Sequence, residues 1–155
     1  MKKMIITIVV LVITGVAALF FYVLTDKNKE VSEKEPHVNY INRDLPALRP
    51  AFLRWDEYDK IYYLPDSSVS PEKTDLEIPP GAIFLFNKVI HRNKAVSGVS
   101  LSLWHGSLTI DNKKQDIVLA WGEKHTICLE APCGYWTYEK APWQNNEDFK
   151  KYFID

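Results

Sequence analysis

Both cysteines of the chain, Cys128 and Cys133, lie in the stretch HTICLEAPCGYW, residues 125–136. Two thiols at this spacing can form a disulfide, contribute half of a metal site, or act as a nucleophile and its partner. Structural zinc takes four ligands, usually from two separate clusters, and only His125 lies nearby. The spacing also differs from the Cys-x-x-Cys redox pattern. We predict a disulfide between the two cysteines in an oxidising compartment, and two buried free thiols in a cytoplasmic one.

The remaining candidates for chemistry are four histidines, His37, His91, His105 and His125. The sequence contains no G-x-S-x-G, H-E-x-x-H, P-loop or G-x-G-x-x-G pattern. His105 and His125 fall in the predicted strand region, where either could pair with a serine or a carboxylate in a hydrolase. We predict no catalytic residue, no metal site and no cofactor, and we keep a membrane-tethered hydrolase of envelope material as the alternative.

Aromatic side chains are concentrated in the C-terminal part of the chain, at Trp104, Trp121, Tyr135, Trp136, Tyr138 and Trp143. Such residues fill protein cores, and they are also enriched at interfaces. Two interpretations stay open: a thick aromatic core, or a binding face. The candidate binding residues are Trp104, His105, Trp136 and Tyr138.

Residues 4–24, MIITIVVLVITGVAALFFYVL, form an uncharged apolar run. A helix of this length covers about 32 Å, enough for the hydrocarbon core of a bilayer. The preceding Met1-Lys2-Lys3 is typical of the positive n-region of a secretory signal, but no small-x-small cleavage site follows the run. We therefore predict a cytoplasmic n-region over residues 1–3 and an uncut transmembrane signal anchor over residues 4–24.

Basic residues are almost equally numerous on the two sides of this run, so the positive-inside rule alone gives no orientation. Two features favour an N-terminus inside the cell. Positive charge precedes the apolar run, as in a secretory signal, and long domains tend to be translocated. We predict a single-pass protein of a bacterial inner membrane, with the C-terminal domain in the periplasm or outside the cell. Residues 25–37 have alternating charges and a proline, which predicts a solvated, charged tether.

Residues 38–155 suit a single domain. Without Lys2 and Lys3, 17 of the 19 basic residues remain against 20 acidic residues. This weakly acidic balance argues against a nucleic-acid partner, because binding to nucleic acid depends on neutralising phosphates with Lys and Arg.

Short apolar or alternating segments separated by turn signals predict a mainly β domain, an antiparallel meander closing as a small sandwich or barrel. The turns are predicted at Pro79-Pro80-Gly81, Asp111-Asn112 and residues 122–124. The predicted strands cover residues 82–86, 99–103, 108–110, 117–121, 126–129 and 135–138.

Three regions are less regular. Leu101 and Leu103 alternate with serines, as in a half-buried strand. Leu108 is apolar at an even position, whereas the earlier apolar positions are odd. This change predicts a β-bulge or a turn at Gly106. Residues 50–63 fit a helix in their first part and a strand in their last. Asn145-Asn146 followed by two acidic residues predicts a short C-terminal helix, packed through Phe149, Tyr152 and Phe153.

Together these features predict a membrane-anchored, non-enzymatic module that binds a protein partner in the bacterial envelope. It could be an accessory subunit of an envelope complex, or an immunity-type inhibitor that protects the periplasm from a secreted toxin. Both roles are analogies from architecture.

Overall fold

The computed structural model describes residues 2–64, 75–94, 97–126, 134–147 and 149, and within the first helix the side chains of residues 7, 8 and 10–24. Helix α1 spans Lys2–Leu24, and a 3₁₀ turn spans His37–Asn39. The described residues form nine strands: β1 (Lys27–Glu30), β2 (Asp44–Pro46), β3 (Ala51–Asp56), β4 (Ile61–Tyr63), β5 (Leu76–Ile78), β6 (Ile83–Asn93), β7 (Val99–Ile110), β8 (Lys113–His125) and β9 (Trp136–Thr137).

These strands form one mixed sheet in the order β1-β6-β7-β8-β4-β3-β5, with β2 also paired to β6 and β9 to β8. The long strands β6, β7 and β8 make an antiparallel meander at its centre. The prediction of a mainly β domain is confirmed. The sheet is not purely antiparallel, because β4 is added to β8 in the parallel direction.

Two of the predicted turns have the required backbone. Asp111 and Asn112 have φ of +48° and +64°, and positive φ at both central residues suits a tight hairpin between right-twisted strands. At the start of β6, Gly81 has φ of +86°, and the amide of Ala82 donates to the carbonyl of Pro79 at 3.2 Å. Both turn predictions are confirmed.

The irregularity predicted at Gly106 lies on the neighbouring strand. β7 runs straight through Gly106, and the extra residue is Asn87 of β6, which falls between the residues paired with His105 and Gly106. Glycine is needed on β7 for another reason. A Cβ at this position would overlap the carbonyl oxygen of Leu85 and lie 2.7 Å from Phe86 Cα.

No register shift is needed within β7, because both of its faces are covered. Leu101 and Leu103 belong to a small second cluster, whereas Leu108 faces the main core on the other side. Ser100 and Ser102, which the pattern places in solvent, are 5% and 0% exposed. The prediction of a half-buried strand was wrong, because the alternation marks two buried faces.

β8 continues through residues 122–124, where a turn was predicted. Trp121 and Gly122 together oppose the single residue Ser102 of β7, so the strand forms a bulge here rather than a turn. Gly122 has φ of +101° and packs directly against the ring of Tyr138.

Residues 51–63 form a hairpin without helix. β3 and β4 pair antiparallel, with Trp55 opposite Tyr62. Asp56 Oδ1 accepts hydrogen bonds from the amides two and three residues later, both at 2.8 Å. Such an Asx turn ends the strand at Asp56 and reverses the chain.

The segment predicted as a solvated tether, residues 25–37, takes part in the fold. β1 pairs with β6 over its four residues, and all four side chains stay exposed. Val31 and His37, which follow it, are 5% and 2% exposed. Ladder hydrogen bonds use backbone groups, so a charged segment can join a sheet edge without an apolar pattern.

Helix α1 covers the residues predicted to form the membrane anchor. Its described large apolar side chains are exposed, as for Leu11 at 66% and Phe21 at 77%. Within the part of the chain that the structure describes, no helix was found that is long and apolar enough to cross a membrane. The anchor stays a prediction.

Some predictions concern residues outside the described ranges. These are the Cys128–Cys133 disulfide, most of the strand predicted over residues 126–129, and the helix-packing residues Tyr152 and Phe153. The amide of Phe149 donates to the carbonyl of Asn145 at 3.3 Å, which is the spacing of a helical turn.

The main core lies on one face of the β6–β8 meander and is largely aromatic. Trp104, Trp121 and Trp143 are 0%, 1% and 6% exposed. Trp104 and Trp121 have ring centroids 4.7 Å apart, and Phe86 and Tyr40 lie against them. For these tryptophans, the core interpretation of the aromatic cluster is confirmed.

Candidate functional site

The four candidate binding residues are divided between the two faces of the sheet. Trp104 and His105 are neighbours in β7, so their side chains point to opposite faces. Trp104 is fully buried, and its indole Nε1–H is shared between Ser102 Oγ at 3.1 Å and the carbonyl oxygen of Trp121 at 3.2 Å. A partner could touch Trp104 only if the core opened, so its role here is packing.

Trp136 and Tyr138 lie on the core side with Trp104, and both are half-buried. Trp136 packs on His91 with ring centroids 3.8 Å apart, and Tyr138 packs on Trp121 at 5.5 Å. Burial raises the phenol pKa of Tyr138 to about 12. These two rings close the end of the main core and leave only their outer edges for contact with a partner.

His105 lies on the opposite face and lines a groove of about 500 Å³, which Tyr62 and Ile117 of the main-core side also line. We call this the sheet-face groove. Strands β3, β4, β6, β7 and β8 all contribute to it. Its polar and aromatic lining residues are Asn42, Trp55, Lys60, Tyr62, Asn87, His105, Ser107, Lys114 and Asp116.

One wall of the sheet-face groove is an aromatic pair. Trp55 and Tyr62 face each other across the β3–β4 hairpin, with ring centroids 4.8 Å apart. Neither residue was predicted as a site residue, because Phe52, Trp55 and Tyr58 have a helical spacing that concealed the hairpin. The signal that could have found them is the Asp56 turn, which places the two rings opposite each other.

His105 is one of the polar residues that line the groove. Its Nε2 is buried and has no hydrogen-bond partner among the described residues. Burial, then the charges of Lys88 and Arg92, lower the pKa of His105, so the imidazole is neutral near pH 7. A neutral imidazole can accept a hydrogen bond or a proton from a bound molecule.

The groove also contains the residue types of a hydrolase. Ser107 lies two residues from His105 on the same face, and Asp116 of β8 pairs with Ser107 in the ladder. Nucleophile and base normally lie within hydrogen-bond reach of each other. His105 Nε2 makes no such bond to a described residue, and Ser107 is only 5% exposed. The triad geometry is therefore incomplete.

His125, the other histidine considered for catalysis, does not converge with His105. In the β7–β8 ladder, His105 pairs with Val118, and His125 lies seven residues further along β8, about 20 Å away at the rise of a strand. His125 Nε2 instead pairs with Glu123 at 3.1 Å, and both side chains are largely exposed.

A second groove, of about 410 Å³, lies where β4 and β9 both approach β8. Tyr63, Glu123, Thr137 and Tyr138 contribute to its lining. Burial, followed by the nearby Asp59 and Asp56, raises the pKa of Tyr63 to about 12. In the described ranges, no three His, Cys, Asp or Glu side chains are grouped so that they could hold a metal ion.

No family model matches the chain, and no curated protein or solved structure is significantly similar to it. The chemistry of the two grooves is therefore interpreted from their own residues.

Proposed function

We propose that the protein is a non-enzymatic module, anchored in a bacterial inner membrane, that binds a protein partner in the periplasm through the sheet-face groove. The roles that fit are an accessory subunit of an envelope complex and an immunity-type inhibitor of a secreted toxin. The observation that carries the proposal is the Trp55–Tyr62 pair, which forms a half-buried aromatic wall beside polar groups in the same groove.

The residue types of the groove are those of a binding surface. Trp and Tyr are frequent among the residues that dominate protein interfaces, and polar residues usually surround them. Here Lys60, Lys114 and Asp116 line the same groove as the aromatic pair. A volume of about 500 Å³ is enough for a few side chains of a partner, within the ordinary range of ligand sites.

The anchor and the compartment rest on the sequence. Residues 4–24 are uncharged and apolar, and two lysines precede them. This order favours an N-terminus inside the cell. An anchored domain would meet its partner at the membrane surface. The same compartment would permit the Cys128–Cys133 disulfide.

Site-specific crosslinking tests the proposal. A photo-crosslinking amino acid replaces Tyr62, inside the groove, or Tyr58, which is 93% exposed on the β3–β4 turn outside it. In cells that make the full-length protein, we expect the Tyr62 position to give one discrete protein adduct, identified by mass spectrometry. The Tyr58 position should give none. Lys114→Glu should weaken the Tyr62 adduct without changing the amount of protein in the membrane.

Two results would contradict this proposal. Equal adducts from both positions would indicate nonspecific contact, and no adduct from Tyr62 would mean that no partner occupies the groove.

A membrane-tethered hydrolase is the second candidate, favoured by the presence of His105, Ser107 and Asp116 in one groove. A fluorophosphonate probe labels activated serines. Labelling of the wild type that is lost in Ser107→Ala would support the hydrolase and count against the binding module.

A further inference from the structure

Two histidines meet beside the main core, and neither of them lines the sheet-face groove. His37, in the 3₁₀ turn, lies edge-on to His91 of β6, with ring centroids 5.2 Å apart. Trp104 and Tyr138 pack around His37 at 5.2 and 6.1 Å, and Trp136 packs on His91 at 3.8 Å. Aromatic rings therefore surround His37, and one of them covers the half-buried His91.

The two imidazoles are not fully hydrogen-bonded. His37 Nδ1 and His91 Nε2 are both buried and have no hydrogen-bond partner among the described residues. A neutral imidazole has one donor and one acceptor nitrogen, whereas an imidazolium has two donors and a positive charge. Protonation would thus place a charge and a further donor on each ring, in surroundings made mainly of aromatic carbon.

The charged groups that act on His91 from the neighbouring elements are cations: Lys34 before the 3₁₀ turn, Lys124 of β8 and Lys29 of β1. Burial and then these lysines lower the pKa of His91 to about 4. Burial and then His91 lower the pKa of His37 to about 4.

One further titratable group contacts His37, and another lies next to Lys124. Tyr138, which contacts His37, has its phenol pKa raised to about 12 and stays neutral. The carboxylate of Glu123, next to Lys124 in β8, is paired with His125 at 3.1 Å.

His37 holds a short docked segment, residues 31–42, which joins β1 to β2. Hydrogen bonds attach both ends of the segment to β6, from the amide of Val31 at 2.9 Å and from the amide of Asn42 at 2.7 Å. Its buried side chains are those of Val31, His37 and Tyr40. Ser32 Oγ also accepts a hydrogen bond from the amide of Val89 at 2.9 Å. Among the three buried side chains, that of His37 becomes charged in acid.

We propose that the His37–His91 pair is an acid-operated latch: its protonation detaches residues 31–42 from β6 while β1 stays paired with that strand. His37 binds a proton more weakly in the docked state, where its pKa is about 4, than in an open one, where the ordinary pKa is 6.5. Docking is therefore fully favoured above pH 6.5, weakens as the pH falls toward 4, and weakens no further below that. The latch does not depend on the identity of any partner.

Proton linkage gives the size of the effect. Because the pKa of His37 falls from 6.5 to about 4 on docking, the opening equilibrium rises on the order of 30-fold between about pH 7.5 and pH 5.

Hydrogen exchange on the full-length protein in a lipid nanodisc measures this opening directly. The amides of Tyr40 and Asn42, which donate to His37 and Phe86, report on the segment once rates are corrected for the intrinsic effect of pH. We expect their protection to fall about 30-fold between about pH 7.5 and pH 5. The His37→Phe/His91→Phe variant should retain it, and the control His125→Gln, at an exposed histidine, should behave as the wild type.

An unchanged protection of residues 31–42 in the wild type would overturn the latch, and so would an equal fall in the double variant. If the double variant does not fold, the wild type provides its own reference in the β7–β8 hairpin, residues 108–115. Loss of protection in residues 31–42 at a higher pH than in the hairpin supports the latch. Simultaneous loss in both would show general acid unfolding and overturn it.

Discussion

Replacing Gly106 by alanine should destabilise the fold through a steric clash with the backbone of the neighbouring strand. The added Cβ would overlap the carbonyl oxygen of Leu85 and lie 2.7 Å from Phe86 Cα and 2.9 Å from the Leu85 carbonyl carbon. All three atoms belong to the backbone of β6, which is fixed by pairing with β7. Since the atoms cannot rotate away as a side chain would, β6 and β7 must move apart.

The magnitude follows from the kind of atom that is displaced. Overpacking in a well-packed core costs about 1–3 kcal/mol, and more where the backbone must shift. For Gly106→Ala we therefore expect a loss of about 3 kcal/mol or more in the free energy of unfolding. Gly81→Ala is the matched control, because Gly81 has φ of +86° and open space around it. Its cost should be only the left-handed backbone strain, about 1–2 kcal/mol.

Urea unfolding of the full-length protein in detergent, followed by tryptophan fluorescence, compares the two variants with the wild type. Trp104 and Trp121 lie in the core next to the perturbed strands and report on its loss. A Gly106→Ala variant that is as stable as Gly81→Ala, or more stable, would refute the reasoning. It would mean that β6 can yield at the Asn87 bulge without loss of packing.

Three further predictions concern single residues and the predicted anchor. Trp104→Phe removes the Nε1 hydrogen bonds at 3.1 and 3.2 Å and should lower the free energy of unfolding by about 2–3 kcal/mol. Trp136→Phe, at a half-buried ring, should lower it by less in the same urea assay. Equal losses of stability in the two variants would contradict the prediction. Replacing Cys128 or Cys133 by serine should lower the free energy of unfolding by roughly 2 kcal/mol. Alkylation of the wild type without reductant should label neither cysteine. Labelling of both would exclude the disulfide. Mass spectrometry of the purified protein should show that α1 is retained. If the C-terminal domain lies outside, an alkaline phosphatase fusion at Asp155 should be active and a green fluorescent protein fusion there should be dark. A shortened N-terminus would refute the uncut anchor, and the opposite pair of reporter results would reverse the orientation.

Local features of the sequence determined the type of several elements. The turns at Gly81 and at Asp111-Asn112 require positive φ, which only a few residue types adopt readily, so the residues themselves reveal the turn. Strand β6 could be predicted from its continuous apolar residues, because both of its faces are covered. The mainly β class follows from such short-range signals.

The tertiary structure decided which faces and edges these elements use. Ser100 and Ser102 are buried because β7 has packed layers on both sides, a condition that no alternation within the strand can reveal. β1 joins the sheet through backbone groups of a charged segment, and backbone hydrogen bonds carry no residue signature.

The same limit applied to the candidate site. The sequence placed Trp104 and His105 together, and the pleat of β7 separated them into a core residue and a groove residue. Trp55 reached the sheet-face groove only through the pairing of β3 with β4 and of β4 with β8. Contacts between residues distant in the chain depend on strand order, and strand order is set by the packing of the whole domain rather than by any one segment.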